Sequence, residues 1–453
     1  MQRHVSPDAL HNSLEQSNPP KCHPNTRTAV LKDILSWAED DTSETQVLWL
    51  HGPAGAGKTA IGHSVAEMSQ ERNQFAAGFF FSRTAAGRNH EKCLIATIAY
   101  QLLQSIPEVR PFIEAAATKD PLIFMQSSSS QIRHLIVDPL KQMLARHNPS
   151  SSFPRLIIID GLDECSPQES QTNILTAIHT ASKQESFPFR VLICSRAEPN
   201  IRDVFESELA DSTHQISLDD EYEPDIDIAL YLRSKFSEIV RKHRRNRGVR
   251  SLPLPWPSEK TIQTLVSKAS GQFIYAATVI RYVDVRHERP DDRLKTVLGL
   301  SGSQSLNPFT ELDELYQEIF RTVEDMPLTS RLLGAVLVLK TPLPIASLED
   351  LLGLQPGTAE LALCHLHSVV RMPNDTDDHA SGHHIGLYHA SLGDFLFDSQ
   401  RAGVYHIKME SAHATLAESC LRNISKSALI HNDMGCLWLA RGISVPEFKS
   451  YSY

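Results

Sequence analysis

The residues Gly52-Pro53-Ala54-Gly55-Ala56-Gly57-Lys58-Thr59 match G-x-x-x-x-G-K-[ST] in full, with a short apolar run before and a helical pattern after. Glycines at these places let a loop wrap tightly enough for successive backbone N–H groups to point at phosphate oxygens. A helix starting near Lys58 adds its positive end. Lys58 can reach the β- and γ-phosphates, and the Thr59 hydroxyl can ligate magnesium. A second element, Arg155-Leu-Ile-Ile-Ile-Asp160-Gly161-Leu162-Asp163-Glu164, is an apolar strand ending in acids. Asp160 at its carboxyl end can hold magnesium through water. Asp163 or Glu164 can orient or deprotonate an attacking water, and Glu164 has the longer reach. The competing reading is an acidic turn capping the next helix, and the full phosphate loop upstream weighs against it. The third element, Arg190-Val-Leu-Ile-Cys-Ser195-Arg196, ends another apolar strand in an arginine. Arg196 is either a sensor of the γ-phosphate or a surface arginine in a salt bridge.

These residues need strands to present them at one edge. Short apolar runs at Val47–Leu50, Gly78–Ser82, Leu156–Ile159, Val191–Cys194 and His214–Leu218 alternate with helical segments that include Ala60–Gln70, Lys92–Ser105 and Ile132–Ala145. That alternation predicts an α/β fold with a doubly wound parallel sheet, as in a P-loop NTPase. Another helix is expected over Thr28–Glu39, after an irregular leader at 1–27. Beyond Leu218 the strand signal stops. Asp225–Val240 and Thr261–Val283 have helical periodicity, predicting a helical domain over 219–300. A Ser/Gly/Asn-rich linker, Ser301–Pro308, precedes further helical segments at Leu312–Val323, Ser330–Lys340, Ser347–Leu352 and Thr358–Ser368. A short strand at His383–Tyr388 and a helix at Ala390–Phe397 complete a pattern that predicts a winged-helix domain over 309–400. Residues 401–453 read as the start of a further helical segment, with an abrupt ending at Phe448–Tyr453 that suggests a truncated gene model, an isolated module or an adaptor.

The chain has 453 residues, 44 Lys+Arg against 54 Asp+Glu, a net charge of −10, and 41% hydrophobic with 22% charged residues. That is globular composition, enough for roughly two to four domains, and it excludes disorder as the main state. The longest apolar run, Leu332–Leu339, is far too short to span a bilayer, and residues 1–20 lack the apolar stretch of a signal peptide, so a cytoplasmic protein is expected. Seven scattered cysteines, none at C-x-x-C spacing, read as reduced thiols. The acidic balance argues against a nucleic-acid coat. The exception, Arg241–Arg250 with six Lys/Arg, is most simply a wet helix end.

Taken together, Gly52–Thr59, the strand with Asp160-Gly161-Leu-Asp163-Glu164, and Cys194-Ser195-Arg196 resemble a NACHT domain. Cys22-His-Pro-Asn-Thr26-Arg27, Phe79-Phe80-Phe81-Ser82-Arg83 and Tyr388-His389-Ala-Ser391-Leu-Gly-Asp394-Phe395-Leu396 are similar to fungal NACHT proteins with a nephrocystin-3-like N-terminal region. The resemblance covers about residues 20 to 400. It implies a STAND NTPase, a switch in which ADP or GDP holds a closed monomer and ATP or GTP with magnesium permits an open, self-assembling form, with slow hydrolysis and an output such as non-self recognition. It also implies that His389 touches the bound diphosphate, where the rival reading is a buried histidine satisfied by backbone, and that Arg27 lies near the base. A nucleotide-binding scaffold without turnover is the alternative. A small-molecule kinase is disfavoured, because no acceptor-binding lid is visible. No motif identifies the protein partners.

Overall fold

The computed structural model describes residues 1–13, 19–40, 42–83, 85, 87–146, 153–184, 186–218, 222–243, 254–285, 288–299, 309–373 and 384–440, of which 426–440 as backbone alone. The first body runs α1 (Thr28–Glu39), β1 (Val47–His51), α2 (Lys58–Glu71), β2 (Phe75–Phe80), α3 (Leu94–Ser105) and α4 (Arg110–Lys119). Then α5 (Ser128–Ile132) passes through a π turn at Arg133–Val137 into α6 (Asp138–Arg146), followed by β3 (Leu156–Asp160), α7 (Gln168–Ser182), β4 (Arg190–Ser195), α8 (Pro199–Glu206) and β5 (Thr213–Ser217). All five strands are parallel, in the order β2-β3-β4-β1-β5.

The strands read as apolar runs because both faces of the sheet are covered. Side chains alternate between the faces, so Val47, Trp49, Ile157 and Ile159 join one core with α3 and α5 to α8. Leu48, Leu50, Leu156 and Ile158 join the other with α1 and α2. The β2 strand starts three residues earlier than its sequence pattern suggests, at Phe75–Phe80. As an edge strand it exposes backbone groups that must be answered. Buried Gln101 of α3 does so: its Oε1 accepts from Gly78 N–H at 3.0 Å and its Nε2 donates to Gly78 O at 2.8 Å.

Residues 1–13, expected to be irregular, form two short 3-10 turns laid against this edge. Ser6 N–H donates to Thr97 Oγ1, Ala9 is fully buried and His4 stacks on Phe124.

The second body comprises α9 (Pro224–Lys242), α10 (Glu259–Ala269), α11 (Phe273–Val283), α12 (Pro290–Gly299), α13 (Thr310–Arg321), α14 (Met326–Val338), α15 (Ile345–Leu352) and α16 (Thr358–Leu363). A two-stranded antiparallel ribbon, β6 (Val370–Arg371) with β7 (Gly386–Leu387), precedes α17 (Ser391–Phe397), α18 (Ser399–Ala402) and α19 (Met409–Ala440). Residues from Ile228 to Ala412 share one apolar core. The periodicity over Thr261–Val283 is not one helix: Ser270 and Gly271, at φ +45° and +75°, break it before Phe273. Short or irregular stretches also end the expected helices at 330–340 and 358–368 early, and the expected strand at 383–388 contracts to β7, with His383 outside the described residues. The Ser301–Pro308 linker, most of Arg241–Arg250 and Phe448–Tyr453 also lie outside them. Among the described residues, no helix is long and apolar enough to cross a membrane.

Candidate functional site

The parallel register puts the candidate residues at one edge of the sheet. His51, the last residue of β1, pairs with Ser195 of β4 and Ser217 of β5, and Asp160 pairs with Cys194. From His51 the chain turns through Gly55 and Gly57, at φ +80° and +96°, a backbone that favours glycine. Gly57 is the N-cap of α2 with no side-chain cap, so the first amides of that helix open into the loop, an arrangement that suits an anion. Lys58 Nζ donates to Gly52 O at 2.8 Å and Pro53 O at 2.9 Å, which holds the ammonium across the loop. Burial lowers its pKa, opposed by Asp163.

Asp160 is 2% exposed. Burial raises its carboxyl to about 7, and a hydrogen bond with the Thr59 hydroxyl opposes the rise. Its Oδ1 has no hydrogen-bond partner. Gly62 of α2 faces that same oxygen: a Cβ there would sit 3.4 Å from it, an ordinary contact. A buried anionic oxygen with an unused lone pair, beside a hydroxyl, is a donor set that suits a hard divalent cation such as magnesium.

Gly161, at φ +71°, reverses the chain after Asp160, and its N–H donates to Cys194 O. The 3-10 turn Leu162–Glu164 then returns both acids to the cleft. They part there. Asp163 Oδ1 accepts from Arg196 N–H at 3.0 Å, and its Oδ2 lies 3.2 Å from Arg196 Nε. Glu164 Oε2 accepts from the backbone N–H of Arg83 at 2.9 Å. Burial, with Asp163 beside it, raises the Glu164 pKa. Asp163 acts as a brace for Arg196.

Of the two sequence readings of Arg196, the structure shows the salt bridge, at a side chain mostly buried. Arg196 also faces the phosphate loop: the cleft of about 820 Å³ is lined by Gly57, Lys58, Asp160, Arg196 and, from the second body, His389. Arg196 Nη2 is 2.8 Å from Asp394 Oδ2 on α17, and Arg83 Nη1 is 3.2 Å from Asp394 Oδ1. Burial disfavours the Arg196 charge, but Asp394 and Asp163 outweigh it and raise the pKa above the ordinary arginine value.

The His389 tautomer follows from its partners. Nδ1 accepts the N–H of Ser391 at 3.1 Å and lies 2.7 Å from Ser391 Oγ, so Ser391 donates its hydroxyl hydrogen there. Tyr316 O–H then donates to Ser391 Oγ, at 2.9 Å. The ring hydrogen must sit on Nε2. Burial, with Arg196 and Lys58 nearby, lowers the pKa to about 3, so His389 is a neutral N–H donor at physiological pH. The local polar partners of the bland reading are present, on Nδ1 only.

Arg27 sits behind the phosphate loop. Its N–H donates to Asp227 Oδ2 at 2.9 Å, its Nη2 donates to Ala56 O at 3.0 Å, and its guanidinium lies 4.9 Å from the Phe273 ring centre. Next to Phe273, Ile274 N–H donates to Gly55 O, docking the start of α11 directly on the loop. Asp394, Arg83 and Ile274 were given no role by the sequence, although Asp394 and Arg83 lie in recognised segments. The acid five residues after His389 was the available clue.

Residues 25–196 match the family model described as nephrocystin 3, N-terminal. Comparison with curated proteins gives no match. Among solved structures, the chain is similar to a Signal Transduction ATPase with Numerous Domains (STAND) protein with a tetratricopeptide repeat sensor from Pyrococcus horikoshii, at 10% identity and a TM-score of 0.47, covering 90% of this chain and 47% of that one. The chain thus spans about half the length of that protein. It is also similar to Cdc6p from Pyrobaculum aerophilum, at 12% identity and a TM-score of 0.35, covering 90% of this chain and 97% of that one.

Proposed function

We propose that this chain is a NACHT-type nucleotide switch, binding ATP or GTP with magnesium and hydrolysing it slowly, with ADP or GDP in the resting form. The observation that carries the reading is the position of His389: a neutral Nε2–H donor from the second body lines the same cleft as Lys58 and the phosphate loop. A bound diphosphate would thereby touch both bodies, and its identity would bias how they dock. The match of residues 25–196 to the nephrocystin 3 N-terminal family supports a P-loop nucleotide site.

In this reading the loop amides and Lys58 bind the phosphates. Thr59 and Asp160 hold magnesium, which supplies charge neutralisation on the phosphate oxygens. Glu164, with its raised pKa, takes the proton of the attacking water, and Asp163 keeps Arg196 aimed at the cleft. The segment 309–400 is assigned as a winged-helix domain delivering His389, 28–218 as the NACHT nucleotide-binding domain, 219–300 as a helical domain, and 401–453 as the start of a further helical segment. Self-assembly on activation, a cytoplasmic location and a role in fungal non-self signalling belong to the same proposal.

Nucleotide extraction from purified protein is the direct test: bound ADP or GDP supports a resting switch, and the base found sets the preference. Lys58→Ala should weaken binding about tenfold to hundredfold, the worth of charge-assisted hydrogen bonds. Glu164→Gln should keep binding and lose magnesium-dependent phosphate release. Tight binding with no release above background in the unaltered protein leaves the scaffold reading.

A further inference from the structure

Asp394 is the one acid that α17 offers to the arginines described at the cleft, and it engages two of them at once: Arg196 Nη2 at 2.8 Å and Arg83 Nη1 at 3.2 Å. Both arginines belong to the first body. Arg196 directly follows the β4 strand at the phosphate-loop edge, and Arg83 follows β2, its backbone N–H held by Glu164. Arg196 is fixed on its other side by Asp163, so its guanidinium cannot swing away to find another anion without losing that bond. The side chains of Arg196 and Asp394 are each only 20% exposed, which limits screening by salt.

The helix that carries Asp394 is anchored in the second body. On its helix, Leu392, Phe395 and Leu396 are buried in the core of the second body, Phe395 packs against Tyr316 and Phe320, and Ser391 is bonded to both Tyr316 and His389. Moving the helix means moving that body.

We propose that Asp394 sets the preference of the site for nucleoside diphosphates over triphosphates: its carboxylate occupies Arg196 and Arg83 in place of a terminal phosphoryl group, and a triphosphate binds only by displacing it. The inference rests on the nucleotide reading above, and deepens it by naming the residue that distinguishes the two ligands. A third phosphoryl group would bring two or more negative charges against one carboxylate at the same guanidinium, and like charges in a poorly screened site repel. A diphosphate makes no such demand, because Lys58, the loop amides and His389 are left as they stand. The two ligands therefore differ in affinity for the docked arrangement, the condition any nucleotide switch must meet. Asp394 is a positioning residue here, acting through the arginines.

The test is binding of ADP, GDP and their non-hydrolysable triphosphate analogues, with magnesium, to the full chain and to Asp394→Asn. The amide keeps the shape and loses the charge. The triphosphate-to-diphosphate affinity ratio should rise about tenfold or more, in the range of ordinary coupling between sites, and Asp394→Glu should restore much of the original ratio. Asp394→Ser, which also removes the charge and leaves both arginines in place, should shift the ratio in the same direction, which keeps the test decisive if Asp394→Asn folds poorly. An unchanged ratio in a protein that still binds nucleotide overturns this proposal and leaves the nucleotide reading standing. A chain that binds neither class of nucleotide overturns both.

Discussion

Replacing Gly55 with alanine probes the joint between the phosphate loop and the second body. Gly55 has φ +80°, where an L-residue pays about 1 to 2 kcal/mol. A Cβ built there lies 2.1 Å from Ile274 Cγ2 and 2.9 Å from Ile274 Cβ, well inside contact distance. Ile274 is only 7% exposed and its backbone N–H is bonded to Gly55 O, so the side chain has little room and its helix is tied to the loop. Overpacking of this kind costs about 1 to 3 kcal/mol, and a helix that slides away loses a hydrogen bond worth about 1 kcal/mol. Gly55→Ala should therefore destabilise the chain by about 3 to 6 kcal/mol. Ile274→Ala alone should cost about 2 to 4 kcal/mol through its cavity. In the double variant the truncated side chain makes space for the new methyl group, so the overpacking disappears while the backbone strain stays. Its loss should fall short of the sum of the singles by about 2 kcal/mol. Urea unfolding followed by tryptophan fluorescence measures all three, with Trp49 in the sheet and Trp256 in the second body reporting on each. Additivity within about 0.5 kcal/mol would refute the contact, because residues that do not touch behave independently.

Other outcomes follow from the same geometry. Gln101→Leu leaves the Gly78 N–H and C=O of the edge strand buried without their partner, and thermal unfolding should show a loss of about 2 to 4 kcal/mol, where an unchanged melting temperature would mean that water answers these groups. Burial, with His11 and other cations nearby, lowers His63 to about 3, so between the unfolded value near 6.5 and about 3 the unfolded chain binds the extra proton and stability falls as pH falls. His63→Phe, which preserves the stack on Phe80, should flatten that acid slope by up to about 1.4 kcal/mol per pH unit, and parallel stability curves for the two proteins would count against a neutral buried imidazole. Arg27→Met should loosen the loop against both bodies, since it removes the bond to Ala56 O and the contact over Phe273; faster limited proteolysis near residues 19–27 is the expected sign, and an unaltered digestion pattern speaks against the staple.

Much of the first body was legible in the amino-acid order because its signals are local. Four-residue apolar runs become strands when both faces are covered, and the phosphate loop announces itself through glycine spacing alone. The acids after β3 were visible as a cluster, yet their separate duties were not: Glu164 meets Arg83 and Asp163 meets Arg196 only because Gly161 turns the chain back between two distant segments. Helical periodicity over Thr261–Val283 concealed its interruption, since Ser270 and Gly271 cost only one turn of an otherwise continuous apolar stripe. That interruption is what delivers Ile274 to the loop.

The order of residues by itself determined that strands and helices alternate up to Leu218, that a glycine-rich loop follows β1, and that acidic and basic side chains stand at the ends of β3 and just past β4. Tertiary structure alone decided that β4 lies between β1 and β3, that residues 1–13 cover the β2 edge, and that Asp394 closes on Arg83 from 311 positions away. The physical reason is range: backbone preference and hydrophobic period act over a few neighbours, whereas an ion pair or a buried contact between remote segments leaves no periodic trace and exists only once the cores have fixed where each helix stands.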